Sequence, residues 1–244
     1  MNKKFIKRLL FGILCVVAVI ACCFVVIQYD VEGDKSMPFE IEKILMVSTV
    51  DGIKNEDAEN LWNISLSQVN DLYIYIEKTE NAKKETIKEI KLDNFSVIRP
   101  SGLGDTKIYK PTGELNSLYL QSKENHIEGE IIYVGDKLDN LKNGTISNIG
   151  GTIGFRYAIE NLGKYVSNED TEIVYNGSLL KKVGIELSQV QSTLSFDMTI
   201  KTSDKINYKG TIELTAPAGD IGEEGSSNVE ITDFENVVFK RVKE

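Results

Sequence analysis

From Leu9 to Ile27 the chain runs for nineteen residues without a charged or strongly polar side chain. A helix of that length covers about 28 Å, close to the hydrocarbon thickness of a bilayer, and satisfies its own backbone there. Lys3, Lys4, Lys7 and Arg8 precede the run, and Asp30, Glu32 and Asp34 follow it. The positive-inside bias then places the N-terminus in the cytoplasm and everything after the run outside. The chain divides accordingly into a basic segment 1–8, a transmembrane helix 9–27, a connector 28–38 and an extracytoplasmic part 39–244.

Two other readings of the start also export the remainder. The run is longer than the apolar region of a cleaved signal peptide, and Ala21 offers a small residue before a cut. Val19-Ile20-Ala21-Cys22 resembles the lipobox at which bacterial lipoproteins are cleaved and acylated on cysteine. Cys23 to Ile27 then continues apolar, where a mature lipoprotein turns polar.

Removing 27 residues from 244 leaves 217, enough for one large domain or two small ones. Four of the 28 Lys and Arg residues and none of the 37 Asp and Glu residues lie in the first 27, so the remainder carries 24 against 37, a formal charge of −13. A surface this acidic repels phosphate backbones, which argues against nucleic-acid binding. Cys15, Cys22 and Cys23 all lie in the apolar run. The exterior therefore has no disulfide, thiol nucleophile or cysteine metal site, and its core must hold it together.

Beyond the connector, short β-branched and aromatic runs alternate with polar residues and are punctuated by turn chemistry. Phe39 to Ser48 reads as a strand ending at the turn Asp51-Gly52. Trp62 to Ile76 reads as a hairpin around Asn70-Asp71. Strands follow at Lys88 to Ile98, Lys107 to Tyr109, Ser117 to Gln121 and Ile127 to Val134, with a turn at Pro111 to Gly113 and a helical turn at Asp136 to Leu141. Ile146 to Ile159 is strand material broken by Gly150-Gly151, and Glu172 to Leu180 is a hairpin about Asn176-Gly177. A further hairpin pairs Phe196, Met198 and Ile200 with Tyr208, Ile212 and Leu214 across Ser203-Asp204-Lys205. Ala216 to Asn228 is an acidic, glycine-rich loop, and Val229 to Val242 closes the chain with strands. The class is mainly β: an antiparallel β-sandwich-like exported domain behind a transmembrane helix, built as one sandwich or as two packed units meeting near 121–143.

No motif singles out a reaction. His126 is the sole histidine, so no two-histidine metal site exists. The acidic groups 167–172 and 220–224, and Asp136, Asp139, Asn140 and Asn143, lack the spacing of a calcium loop. Gly144, Gly150, Gly151 and Gly154 lie between strand-like residues rather than before a helix, which excludes a phosphate-cradling loop. Catalytic residues, metal ligands and cofactors are therefore assigned to none. The sequons at Asn63, Asn94, Asn143 and Asn176 match glycosylation acceptors.

Polar and aromatic residues concentrate in one place. Trp62, Asn63, Gln68, Asn70, Asp71, Tyr73 and Tyr75 form the candidate binding set, with Tyr73 and Tyr75 on one strand face and Trp62 on the hairpin partner. The expected role is a non-catalytic binding or envelope-structural module held in the membrane by Leu9 to Ile27, with an envelope protein or glycan as partner. The alternative is an envelope hydrolase acting on wall or glycan substrates, which requires a pocket joining two carboxylates distant in sequence.

Overall fold

The structure is a computed structural model that describes residues 3–28, 37–56, 59–80, 82, 84–111, 125–135, 144–170, 172–173, 178–222 and 224–242. Helix α1 spans Lys3–Gln28, with side chains described over 11–24. That stretch is apolar and exposed, Phe11 at 68% and Phe24 at 70%. Among the described residues no helix is long and apolar enough to cross a membrane.

The remaining elements, in chain order, are β1 (Phe39–Lys54), β2 (Trp62–Lys78), β3 (Ile87–Ile98), β4 (Asp105–Tyr109), β5 (His126–Ile127), β6 (Ile131–Gly135), β7 (Gly144–Ile146), β8 (Gly151–Ser167), α2 (Ser178–Lys182), α3 (Leu187–Val190), β9 (Ser192–Thr202), β10 (Asn207–Ala216), β11 (Ser226–Ile231) and β12 (Lys240–Val242). They build two six-stranded sheets, one ordered β11-β1-β2-β8-β4-β5 and the other β12-β10-β9-β3-β6-β7. Every described pairing is antiparallel except β6 with β7.

Alternation along the strands sends one row of each sheet into a shared core. Ile44 and Met46 of β1, Leu72 and Ile74 of β2, Ile90 and Leu92 of β3, and Phe196 and Met198 of β9 belong to one buried cluster. Phe155 of β8 sits between the sheets, edge-on to Phe196 at 5.1 Å and to Phe95 at 5.3 Å between ring centroids. Two hydroxyls tie the layers together: Tyr133 donates to Gly154 O, and Tyr157 donates to Ser192 Oγ at 3.0 Å. This is a sandwich-like arrangement of two layers on one core.

Several boundaries differ from those expected. β1 continues through Asp51-Gly52 to Lys54, and Trp62 to Ile76 is not a hairpin but part of the single strand β2. The hairpin is instead β1 with β2, paired from Phe39↔Lys78 to Lys54↔Ile64. Asn70 and Asp71 carry turn chemistry, yet Ser48 and Arg156 occupy their side chains and hold them extended. Ile127 to Val134 divides between sheets, because the chain leaves the first at Ile127 and joins the second at Ile131.

Ser178 to Leu180 is helix rather than the second strand of a hairpin. β1, β2 and β8 are longer than any strand of the other sheet. The α2–α3 segment packs on part of the inner face of the first sheet, along β8, burying Leu179, Leu180, Ile185 and Val190. Gly163 permits the approach, since a Cβ there would lie 3.1 Å from Ile185 Cδ1. The final loop is shorter than expected: β10 takes Ala216 and β11 begins at Ser226. The strand at Ser117 to Gln121, the helical turn at Asp136 to Leu141, the Asn176-Gly177 turn and most of the 28–38 connector lie outside the described residues.

Candidate functional site

A β-bulge in β3 borders a cleft on one flank of the sandwich. Asp93 faces Asp197 of β9 and Ser96 faces Ser195, so β3 fits one extra residue between the two pairs. Asn94 absorbs it in the left-handed region, at φ 53°, and its amide donates to Asp197 Oδ2 at 2.7 Å. The bulge turns Phe95 into the core, while Asp93 remains on the outer row.

Across the flank, β4 and β5 pair Ile108 with Ile127 and Tyr109 with His126. The crossover Glu128 to Glu130 then bridges the two sheets. Between bulge and crossover lies a cleft of about 730 Å³. Phe95, Ile108 and Ile127 supply its apolar lining, and Asn94, Lys107, His126 and the crossover glutamates supply polar groups. Pockets that pair an apolar floor with a few convergent polar groups suit a ligand.

Several charges around this cleft are already engaged. Lys91 Nζ lies 2.7 Å from Asp93 Oδ2 and 3.7 Å from Glu130 Oε2, so one ammonium bridges both carboxylates. The hydrogen bond to Asp93 raises the Lys91 pKa. Lys107 Nζ contacts Glu160 Oε2 at 2.7 Å, and Glu160 also accepts from the Tyr109 hydroxyl. Burial, reinforced by Glu160, pushes the Tyr109 pKa up. The His126 ring stands edge-on to Tyr109 at 5.8 Å. Asp93 Oδ1 is buried without a hydrogen-bond partner. Among the described residues no group of three His, Cys, Asp or Glu side chains is placed to hold a metal ion.

The seven residues singled out from sequence do not converge. All lie on β2, and Trp62 is about 43 Å along the strand from Tyr75 at about 3.3 Å per residue. Trp62 is therefore not on a hairpin partner beside Tyr73 and Tyr75. Its indole donates to Glu169 O at 3.2 Å, and Lys54 Nζ lies 4.6 Å from its ring centroid. Asn63 accepts from Asn55 Nδ2 at 2.8 Å. Gln68 and Asn70 face the core: Asn70 Oδ1 accepts from Gln68 Nε2 at 2.6 Å and from Ser48 Oγ at 2.7 Å.

Asp71, Tyr73 and Tyr75 do share the outer face. Asp71 receives Arg156 through Nε at 2.7 Å and Nη2 at 2.9 Å. Burial, with Asp71 adding to it, raises the Tyr73 pKa. Tyr75 lies under Lys43 at 5.0 Å and lines a smaller depression of about 400 Å³ with Glu42, Lys78 and Ile149. Asn94, His126 and the crossover glutamates of this cleft are not among the residues that the sequence pattern singles out. The signal available was Asp93-Asn94, turn chemistry inside an alternating strand, which is how a bulge reads. Comparison with known proteins returns no matching family model, no similar curated protein and no similar solved structure.

Proposed function

We propose that the chain is a single-pass membrane protein whose N-terminus is cytoplasmic and whose β-sandwich-like domain, outside, is a non-catalytic binding or envelope-structural module. The anchor rests on the apolar run 9–27 with its basic and acidic flanks, and on the exposed apolar side chains over 11–24 of α1, which a bilayer would cover. The observation that carries binding over catalysis is the Lys91 bridge. The two carboxylates best placed in the cleft are held by one ammonium instead of standing free for proton transfer. The ligand is an envelope protein or a glycan, seated between the Phe95 floor and the polar groups of Asn94 and His126.

A crosslinking pull-down from intact membranes with the full-length protein tests this. Protein or wall polymer should be recovered, and Asn94→Ala with His126→Ala should reduce recovery while the domain stays folded. The hydrolase reading draws on one observation, that Asp93 and Glu130 come from distant positions to one cleft. Release of soluble fragments from wall polymer, abolished by Asp93→Asn, would establish it over the binding reading. Protease applied outside should digest residues 39–244, and full protection would refute the orientation. Retention of Cys22→Ser in the membrane supports the uncleaved helix, whereas its loss supports acylation at Cys22.

A further inference from the structure

β8 has two unlike halves. Over Arg156–Glu160 it lies between β2 and β4, and β4 begins at the pair Asp105↔Glu160, the last of that ladder along β8. A bulge follows, with Leu66 opposite Gly163, Gln68 opposite Ile159 and Asn161 at φ 56°. From there to Ser167, among the described residues, β2 is its one strand neighbour. A strand paired on one side presents a row of N–H and C=O groups that template another strand.

The side chains along this edge are specific. Lys164 and Val166 point to the outer face, opposite Ser65 and Asn63, and Val166 is 52% exposed. Ile53, opposite Ser65 on the same face, is 57% exposed, and Leu61 nearby in sequence to Trp62 is 43% exposed. On the inner face Tyr165 packs on the core, with Lys182 Nζ 5.2 Å from its ring. A lysine thus lies on each face of this edge, Lys164 from β8 and Lys182 from α2, in an exterior whose formal charge is −13.

We propose that the β8 edge from Leu162 to Ser167 accepts an extended acidic strand of a partner polypeptide. Main-chain bonds would supply the affinity, and alternate side chains the choice of strand. Acids on the added strand would meet Lys164 on one face and Lys182 on the other, and an apolar residue would cover Val166. Charge selects against a second copy in the antiparallel register centred on Lys164, which brings Lys164 of each chain together, because like charges across a ladder destabilise it. The bulge and the lysines also keep unselected strands away. This inference is independent of the cleft.

The test uses the full-length protein in lipid nanodiscs and amide hydrogen exchange. The probe is a capped peptide of about ten residues repeating Val-Val-Glu-Glu, which alternates valine and glutamate on each face of a strand and reaches the upper end of ordinary strand length. At saturation it should slow exchange of amides within 162–167 by about tenfold. A valine–lysine peptide should not, and Lys164→Glu with Lys182→Glu should reverse the preference while β9 exchange is unchanged. The proposal fails if the acidic peptide does not protect this edge. It fails equally if the amides of this edge that do not bond to β2 are slow without peptide, if protection tracks protein concentration alone, or if it appears at 93–95 and 126–130 instead, an outcome that would leave the cleft reading standing.

Discussion

Asn70 uses both ends of its amide inside the sandwich, accepting from Ser48 and Gln68 and donating to Tyr157 O at 3.4 Å. Ser48 in turn accepts from Ala218 N at 3.1 Å, so one side chain links β1, β2 and β8 to the segment after β10. Asn70→Ala leaves buried donors without acceptors, and urea unfolding of the full-length protein should show a loss of about 2–4 kcal/mol. Asp197 is the counterpart on the outer face of the second sheet. Burial pushes its pKa up, but hydrogen bonds from Asn94, Thr211 and Lys209 outweigh this and hold it below 3.8. A carboxylate depressed by folding stabilises fully above its unfolded pKa and loses that contribution as pH falls through the lowered folded value. Stability should therefore decline below about pH 4, and Asp197→Asn should flatten that limb in an acid titration followed by near-UV circular dichroism.

At the level of elements, β4 depends on Gly104. Its φ of 68° is left-handed, and a Cβ there would lie 2.4 Å from Glu160 O. Gly104→Ala should cost about 2 kcal/mol or more, and hydrogen exchange should show β4 and β5 freed from β8 while β9 and β10 stay protected. Element existence was largely legible in the sequence where local chemistry and final position agree. Ser203-Asp204-Lys205 does lie between β9 and β10, and β3 follows its expected span. It was misleading where a distant partner overrides a local preference: Asn70-Asp71 reads as a turn until Ser48 and Arg156, which are remote in sequence, are brought alongside. The same cause hid the cleft, whose walls come from 93–95, 106–108 and 126–130 and meet only when the chain crosses from one sheet to the other.

For the whole molecule, the two sheets share one core although strands next to each other in sequence often belong to different sheets. β4 and β5 are joined to the first sheet, β6 and β7 to the second, and β8 returns to the first. β1 is second in the order of the first sheet, paired with β11 over Ile44–Thr49 and with β2 over its whole length. That position matters mechanically. A pull on the chain from its N-terminal side enters at Phe39 and is directed along β1. The ladder bonds lie across the strand, so tension shears them together rather than peeling them one at a time. A domain tethered through β1 would therefore resist force with many bonds at once.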